Sequence, residues 1–136
     1  RYPGMTQRSE RLERLIVQQE GECCAEDIDE RVETLERHVS AFPADTEADR
    51  TALNVLGNDT RYTIVRLLVT AGNELCVCEV TPVVDVSDSA VSHALSDLTE
   101  AGLVTRRKDG TWRYYEATER ATALLDALDR TREGTQ

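Results

Sequence analysis

The sequence predicts a mainly α-helical fold with one small β-hairpin, on three observations. Apolar residues recur at three- and four-residue spacing in segment after segment. Capping and turn residues punctuate those segments. One Asp-Gly pair, Asp109-Gly110, separates two β-prone runs near the C-terminal end. With 136 residues, the chain is sized for one domain and a terminal extension.

Arg8–Gln19 carries Leu12, Leu15 and Ile16 on one stripe. Ile28, Val32, Leu35 and Val39 follow at helical spacing and set a second amphipathic helix from about Ala25 to Ser40, with Cys23 and Cys24 just ahead of it. Phe42-Pro43-Ala44-Asp45 breaks the pattern, which divides an N-terminal helical extension, 1–48, from a compact domain, 49–136. Arg1–Gly4, ahead of Met5, read as vector-derived residues.

Ala52, Leu53, Val55 and Leu56 open a short helix that Gly57 ends at a C-cap position. Asn58-Asp59-Thr60 offers N-cap oxygens to the next helix, Arg61–Thr70. Gly72-Asn73 is a turn. Glu74–Val80 suits a strand by its valines or a short helix, and Pro82 stops or bends it. Ser87 is an N-cap for a helix carrying Val91, Leu95 and Leu98, with Gly102 at its C-terminal end. Leu103-Val104-Thr105 and Trp112-Arg113-Tyr114-Tyr115 form the hairpin. Glu119–Arg130 closes the chain with Ala121, Leu124, Leu125 and Leu128 on one stripe.

The charge balance is unusual: 26 acidic residues face 16 basic ones, a formal charge of −10, and Lys108 is the only lysine. Such acidity argues against general binding of nucleic acid, which needs local positive potential. It also fits a haloarchaeal cytoplasm, where an acidic, lysine-poor surface keeps a protein soluble. Local charge decides binding, and Arg106, Arg107, Lys108 and Arg113 cluster in the hairpin with only Asp109 against them. No run approaches the ~18 apolar residues of a membrane span, and Arg1–Glu10 lacks a signal-peptide core. A cytoplasmic protein without membrane contact is expected.

The four cysteines form two close pairs, Cys23-Cys24 and Cys76-Val77-Cys78. Reducing compartments disfavour structural disulfides, so paired thiols suggest metal or redox chemistry, against the alternative of small buried hydrophobes. The enzyme alternative, a thiol oxidoreductase, lacks both a Cys-x-x-Cys motif and a βαβ pattern. No enzyme is expected. His38 reads as an exposed polar residue.

Helix, short helix, helix, basic hairpin and closing helix is the order of a winged helix-turn-helix. Three segments also resemble the ArsR/SmtB family. Leu56-Gly57-Asn58-Asp59-Thr60-Arg61 is similar to its Leu-Gly-Asp-Pro-Thr-Arg motif. Ser87–Leu95, with Leu98 and Glu100–Val104, resembles its recognition helix, and Gly110–Tyr115 its wing. The likeness spans Asp49–Thr118.

That resemblance implies a dimer on palindromic operator DNA, repressing in the ligand-free state. Ser87, Ser89, Ser92 and His93 would contact DNA from the helix, and Arg106, Arg107, Lys108 and Arg113 from the wing. A solvated helix face capped by Ser87 is the alternative for the first group. Glu74–Glu79 resembles the family's thiolate signature, which implies an inducer: arsenite or antimonite first, or a soft divalent metal (cadmium, lead or zinc). Residues two apart do not share a helix face, so joint use of Cys76 and Cys78 is expected to distort the helix end. Family arsenic sensors often have a third cysteine where Thr81 stands, so Cys23 or Cys24 would complete the site. Thiol–disulfide sensing and a purely structural zinc site remain alternatives. Asp88 and Ser96 stand where the family often has glutamine and lysine, leaving three acids and no base in Ser87–Glu100. The family's other metal site, on the last helix, has no histidine here.

Overall fold

The computed structural model describes residues 7–134. The vector-derived reading of Arg1–Gly4 lies outside them. The chain forms two compact units, Arg1–Ala44 and Asp45–Gln136.

The first unit is a helical pair, α1 (Gln7–Glu20) and α2 (Ala25–Ser40). Among its described residues, Ile16 and Ile28 are buried. Gly21, at φ 88°, turns the chain out of α1. Arg31 of α2 reaches back to the Gln19 and Glu20 side chains at 3.3 and 3.4 Å. Leu35 and Val39, the distal half of the α2 stripe, stay exposed.

The second unit opens with α3 (Thr46–Leu56). It starts well before the apolar cluster because the Asp45 carboxylate accepts from the Ala48 amide at 3.4 Å, capping a polar first turn that hydrophobic spacing does not reveal. Gly57 sits at φ −76°, ψ 0°, so α3 ends without the left-handed cap glycine usually supplies. Asn58 then caps α4 (Asp59–Ala71), its side-chain oxygen accepting from the Arg61 amide at 3.0 Å.

Glu74–Val80, open between strand and helix on sequence, contains both: β1 (Leu75–Cys76) and a single turn, α5 (Val77–Val80). Pro82 lies in a 3-10 turn, Thr81–Val83. Ser87 caps α6 (Asp88–Glu100), its Oγ accepting from the Ala90 amide at 3.1 Å. Strands β2 (Val104–Asp109) and β3 (Trp112–Ala117) pair antiparallel, and β1 adds to the far side of β3. The hairpin loop is Gly110-Thr111 rather than Asp109-Gly110, since Asp109 still pairs with Trp112. Only Gly110 has positive φ, 63°, as a type II′ turn requires at its first central position. Thr118 caps the closing helix, α7 (Glu119–Gly134), by accepting from the Ala121 amide at 3.2 Å.

One core joins these elements. Ile64, Val65 and Leu68 of α4 cluster with Val91, Leu95 and Leu98 of α6, Leu103, Val104 and Tyr115 of the hairpin, and Ala121 and Leu125 of α7. Each large aliphatic side chain withdrawn from water contributes about 1.5–3 kcal/mol before entropy is counted. That packing holds α6 and the hairpin as a winged helix-turn-helix. Among the described residues, no helix is long and apolar enough to cross a membrane.

Candidate nucleic-acid interface and thiol site

The faces of α6 divide by burial. Val91, Ala94, Leu95 and Leu98 turn inward, while Ser89, Ser92, His93 and Ser96 are exposed. The exposed set falls at i, i+3, i+4 and i+7, one continuous stripe. Ser87 is also exposed, but its Oγ is already the helix cap. Short donors and acceptors on such a stripe suit base edges in a major groove.

The hairpin carries the local positive charge. Register pairs Lys108 with Arg113, and strand alternation puts Arg106 on that same face. Cations directly opposed across a ladder repel each other, an arrangement an external anion relieves. Arg106, Lys108 and Arg113 are exposed and have no ion pair among the described residues. Arg107 differs from the sequence expectation that Asp109 alone opposes the wing. Its guanidinium grips Glu74 through two bonds, Nη2–Oε1 at 2.6 Å and Nε–Oε2 at 3.2 Å, and lies 4.6 Å from the Tyr114 ring centroid. Asp109 is a looser neighbour at 3.9 Å. The Arg107 guanidinium holds the Glu74 carboxyl below its ordinary pKa.

Cys76 and Cys78 meet without a distorted helix, contrary to the expectation for two residues on one. Cys76 ends β1 in an extended conformation, φ −70°, ψ 145°, and serves as the N-cap of α5, in which Cys78 is the second residue. The strand–helix junction joins the two sulfurs as a Cys76–Cys78 disulfide across a Cα separation of 5.1 Å. Cys76 Sγ accepts from the Cys78 amide at 3.2 Å, and Glu79 Oε1 accepts from the Cys76 amide at 2.8 Å. Cys76 is 5% exposed, whereas Cys78 opens to solvent. No group of three or more His, Cys, Asp or Glu side chains able to hold a metal ion occurs among the described residues.

In the first unit, Cys24 is the N-cap of α2 and its amide donates to Asp27 Oδ2 at 2.9 Å. The Cys23 thiol donates to the Cys24 carbonyl at 3.4 Å. Burial first, then the Asp27 and Glu13 carboxylates, push the Cys23 thiol above its ordinary pKa. Soft-metal binding there must displace a proton held more tightly than usual. His38 and His93 are exposed on α2 and α6.

Two residues that spacing did not single out position this surface. Arg61 donates from Nε to the Val55 carbonyl at 2.7 Å, closing the end of α3, and its Nη1 approaches Asp97 of α6 at 3.4 Å. Glu74 holds Arg107. The first was signalled only as the last residue of the Leu56–Arg61 motif, the second only as a carboxylate two residues before Cys76.

Residues 58–106 match the family model described as "Bacterial regulatory protein, arsR family". A Halobacterium salinarum protein named ArsR, for repression of an arsenical resistance operon, is 54% identical over 126 residues, covering 91% of this chain and 97% of that protein. A second from the same organism, named ArsR2 in the same way, is 54% identical over 94 residues, covering 65% of this chain and 79% of that one. Among solved structures, HlyU from Vibrio cholerae superposes with a TM-score of 0.59 at 27% identity, over 66% of this chain and 97% of HlyU. The exposed α6 stripe, the basic hairpin and these matches agree: the chain belongs to the arsR family of DNA-binding helix-turn-helix transcriptional regulators.

Proposed function

We propose that the chain is a homodimeric repressor that releases operator DNA when its thiolates capture arsenite or antimonite, with cadmium, lead or zinc as the alternative inducers. The observation that carries this reading is the convergence of the Cys76 and Cys78 sulfurs where α5 follows β1, a strand paired with β3 of the wing. In the reduced pair, two soft sulfurs at one point suit a thiophilic ion. The Halobacterium relatives, named for arsenical resistance, favour arsenite.

In this mechanism Ser89, Ser92 and His93 read base edges, while Arg106, Lys108 and Arg113 bind phosphates. Trivalent arsenic takes three sulfurs, so Cys23 or Cys24 supplies the third. Capture of the ion favours a conformer of poor DNA geometry, and linkage requires DNA to weaken inducer binding by the same factor. Dimerisation through the terminal helices would align two recognition helices with a palindrome. The acidic, lysine-poor surface suits a salt-rich cytoplasm, in which the wing supplies the local positive potential.

The direct test is fluorescence anisotropy of the protein on its own promoter DNA, titrated separately with arsenite, antimonite, cadmium, lead and zinc. Release by arsenite at the lowest concentration is the expected result. Failure of all five to release DNA defeats the inducer reading.

The sulfur contact also favours a second reading, redox sensing. Cys76 and Cys78 would cycle between this disulfide and the dithiol, whose oxidation passes two electrons and two protons to a hydroperoxide that leaves as one alcohol and one water, or to hydrogen peroxide that leaves as two waters. DNA release by peroxide, reversed by dithiothreitol and indifferent to arsenite, would select it.

A further inference from the structure

Arg107 occupies a particular place in the sheet. Register runs Cys76 of β1 to Tyr114 of β3, and Tyr114 to Arg107 of β2, so one row crosses from the thiol strand to the wing. Residues opposed in that way share a face of the sheet. Glu74, two residues ahead of Cys76, grips the Arg107 guanidinium while Tyr114 lies against it. Arg106, Lys108 and Arg113 alternate to the other face and have no carboxylate partner among the described residues.

A guanidinium offers its paired N–H edge to a carboxylate or a phosphate with the same fork geometry. It cannot serve both with that edge. We propose that Glu74 is an internal stand-in for a DNA phosphate, a positioning residue that withholds Arg107 from DNA and ties that restraint to the strand bearing Cys76. The inference rests on the reading of the hairpin as the phosphate-binding wing.

Strand β1 is two residues long, held to β3 by the pairs Leu75–Tyr115 and Cys76–Tyr114. So short a strand has few ladder bonds to resist displacement when the Cys76 sulfur is engaged. A shift of β1 then carries the Glu74 carboxylate with it, and the availability of Arg107 changes. Such a link would transmit the state of the thiols without requiring the core to repack.

The test compares wild type, Glu74→Gln, Arg107→Gln and the double variant on a pool of duplexes of roughly 30 base pairs and random sequence, because phosphate contacts are sequence-independent. Anisotropy is read across a salt series. Glu74→Gln should tighten binding several-fold and steepen the slope of log K against log salt by about one, the signature of one more phosphate contact. In the Arg107→Gln background the same change should alter neither quantity. A gain that persists undiminished without Arg107 is ordinary removal of negative charge and overturns the proposal, as does an unchanged slope. Arsenite supplies the second readout: displacement of β1 frees Arg107 and so opposes release, and on promoter DNA the arsenite-driven loss of affinity should be larger in Glu74→Gln than in wild type, whereas an equal or smaller loss overturns the link between β1 and the wing. Wild-type binding that ignores salt would instead defeat the wing assignment itself.

Discussion

Arg66 of α4 and Asp129 of α7 form a two-pronged ion pair, with Nη1–Oδ2 at 2.9 Å and Nη2–Oδ1 at 3.0 Å. Tyr62 hydroxyl accepts from the same guanidinium, which lies 5.3 Å from that ring's centroid. The pair pins the closing helix to α4, at the edge of the core formed by Leu68 and Leu125.

Hydrogen bonds from Arg66, then Arg132, hold the Asp129 carboxyl below its ordinary pKa. A depressed carboxylate stabilises the fold above the unfolded-state value of about 3.9 and loses that contribution as pH falls through the lower folded value. Asp129→Asn should therefore lower Tm at neutral pH, and the gap to wild type should close in acid. Thermal melts between neutral and strongly acidic pH measure it. A gap that widens in acid contradicts the assignment.

DNA recognition divides between two surfaces, and their variants should behave differently. Ser92→Ala with His93→Ala removes base-edge groups and should cost about 1–3 kcal/mol of discrimination between operator and random DNA. Arg106→Gln with Lys108→Gln should weaken binding to both alike and flatten the salt slope by about two. Anisotropy with both duplexes across a salt series separates the outcomes. Normal salt dependence in the wing variant removes the wing from the interface.

Arg61 tests how the motif Leu56–Arg61 positions the recognition helix. Its part-buried bond to the Val55 carbonyl is charge-assisted, so Arg61→Met should cost about 1.5–3 kcal/mol of stability. Because the same guanidinium reaches Asp97 of α6, operator affinity should fall as well. Urea unfolding and anisotropy on one sample give both numbers, and a variant of wild-type stability refutes the structural role.

Most of the helical frame was legible because its signals are local. Asn58 and Ser87 were readable as caps, and Val91, Leu95 and Leu98 as one buried face, from residue type and spacing alone. The start of α3 was hidden because Thr46–Arg50 is polar and only Asp45 marks it. At the thiol site, spacing misled: two residues apart means opposite sides on a helix, but a strand–helix junction at Cys76 removes that constraint. The Glu74–Arg107 pair spans 33 positions and arises from the order β1-β3-β2, which neither segment encodes by itself.

Dimerisation should appear in light scattering of the full chain at micromolar concentration and high salt. Leu128 continues the α7 stripe, yet it is 47% exposed, and half-buried Leu124 lies one turn before it. An apolar stripe left open on a terminal helix suits a twofold contact. Leu128→Glu should shift the mass toward monomer while leaving the thermal melt of the winged helix cooperative. A wild-type monomer under these conditions rules out the twofold operator model.

The inducer site can be tested by ligand counting. Cys76 and Cys78 bring two sulfurs together, Thr81 denies the nearest third, and Glu79 is already bonded to the Cys76 amide. A trivalent arsenic centre wants three thiolates, and a soft divalent metal three or four. Cys76→Ser or Cys78→Ser should abolish arsenite-driven release while leaving DNA affinity within a few-fold of wild type, since neither residue lies on the α6 stripe or on the Arg106–Lys108–Arg113 face. Cys23→Ser with Cys24→Ser should raise the arsenite needed for half-release by tenfold or more, a loss of about 1.4 kcal/mol of binding. Each single change should be milder, because the adjacent thiol can substitute. Release from promoter DNA, followed by anisotropy against arsenite concentration for each variant, measures all of this. Should the Cys23/Cys24 double variant respond at the wild-type concentration, the N-terminal extension contributes no ligand, and the third position belongs to solvent or to a Glu79 freed from its cap.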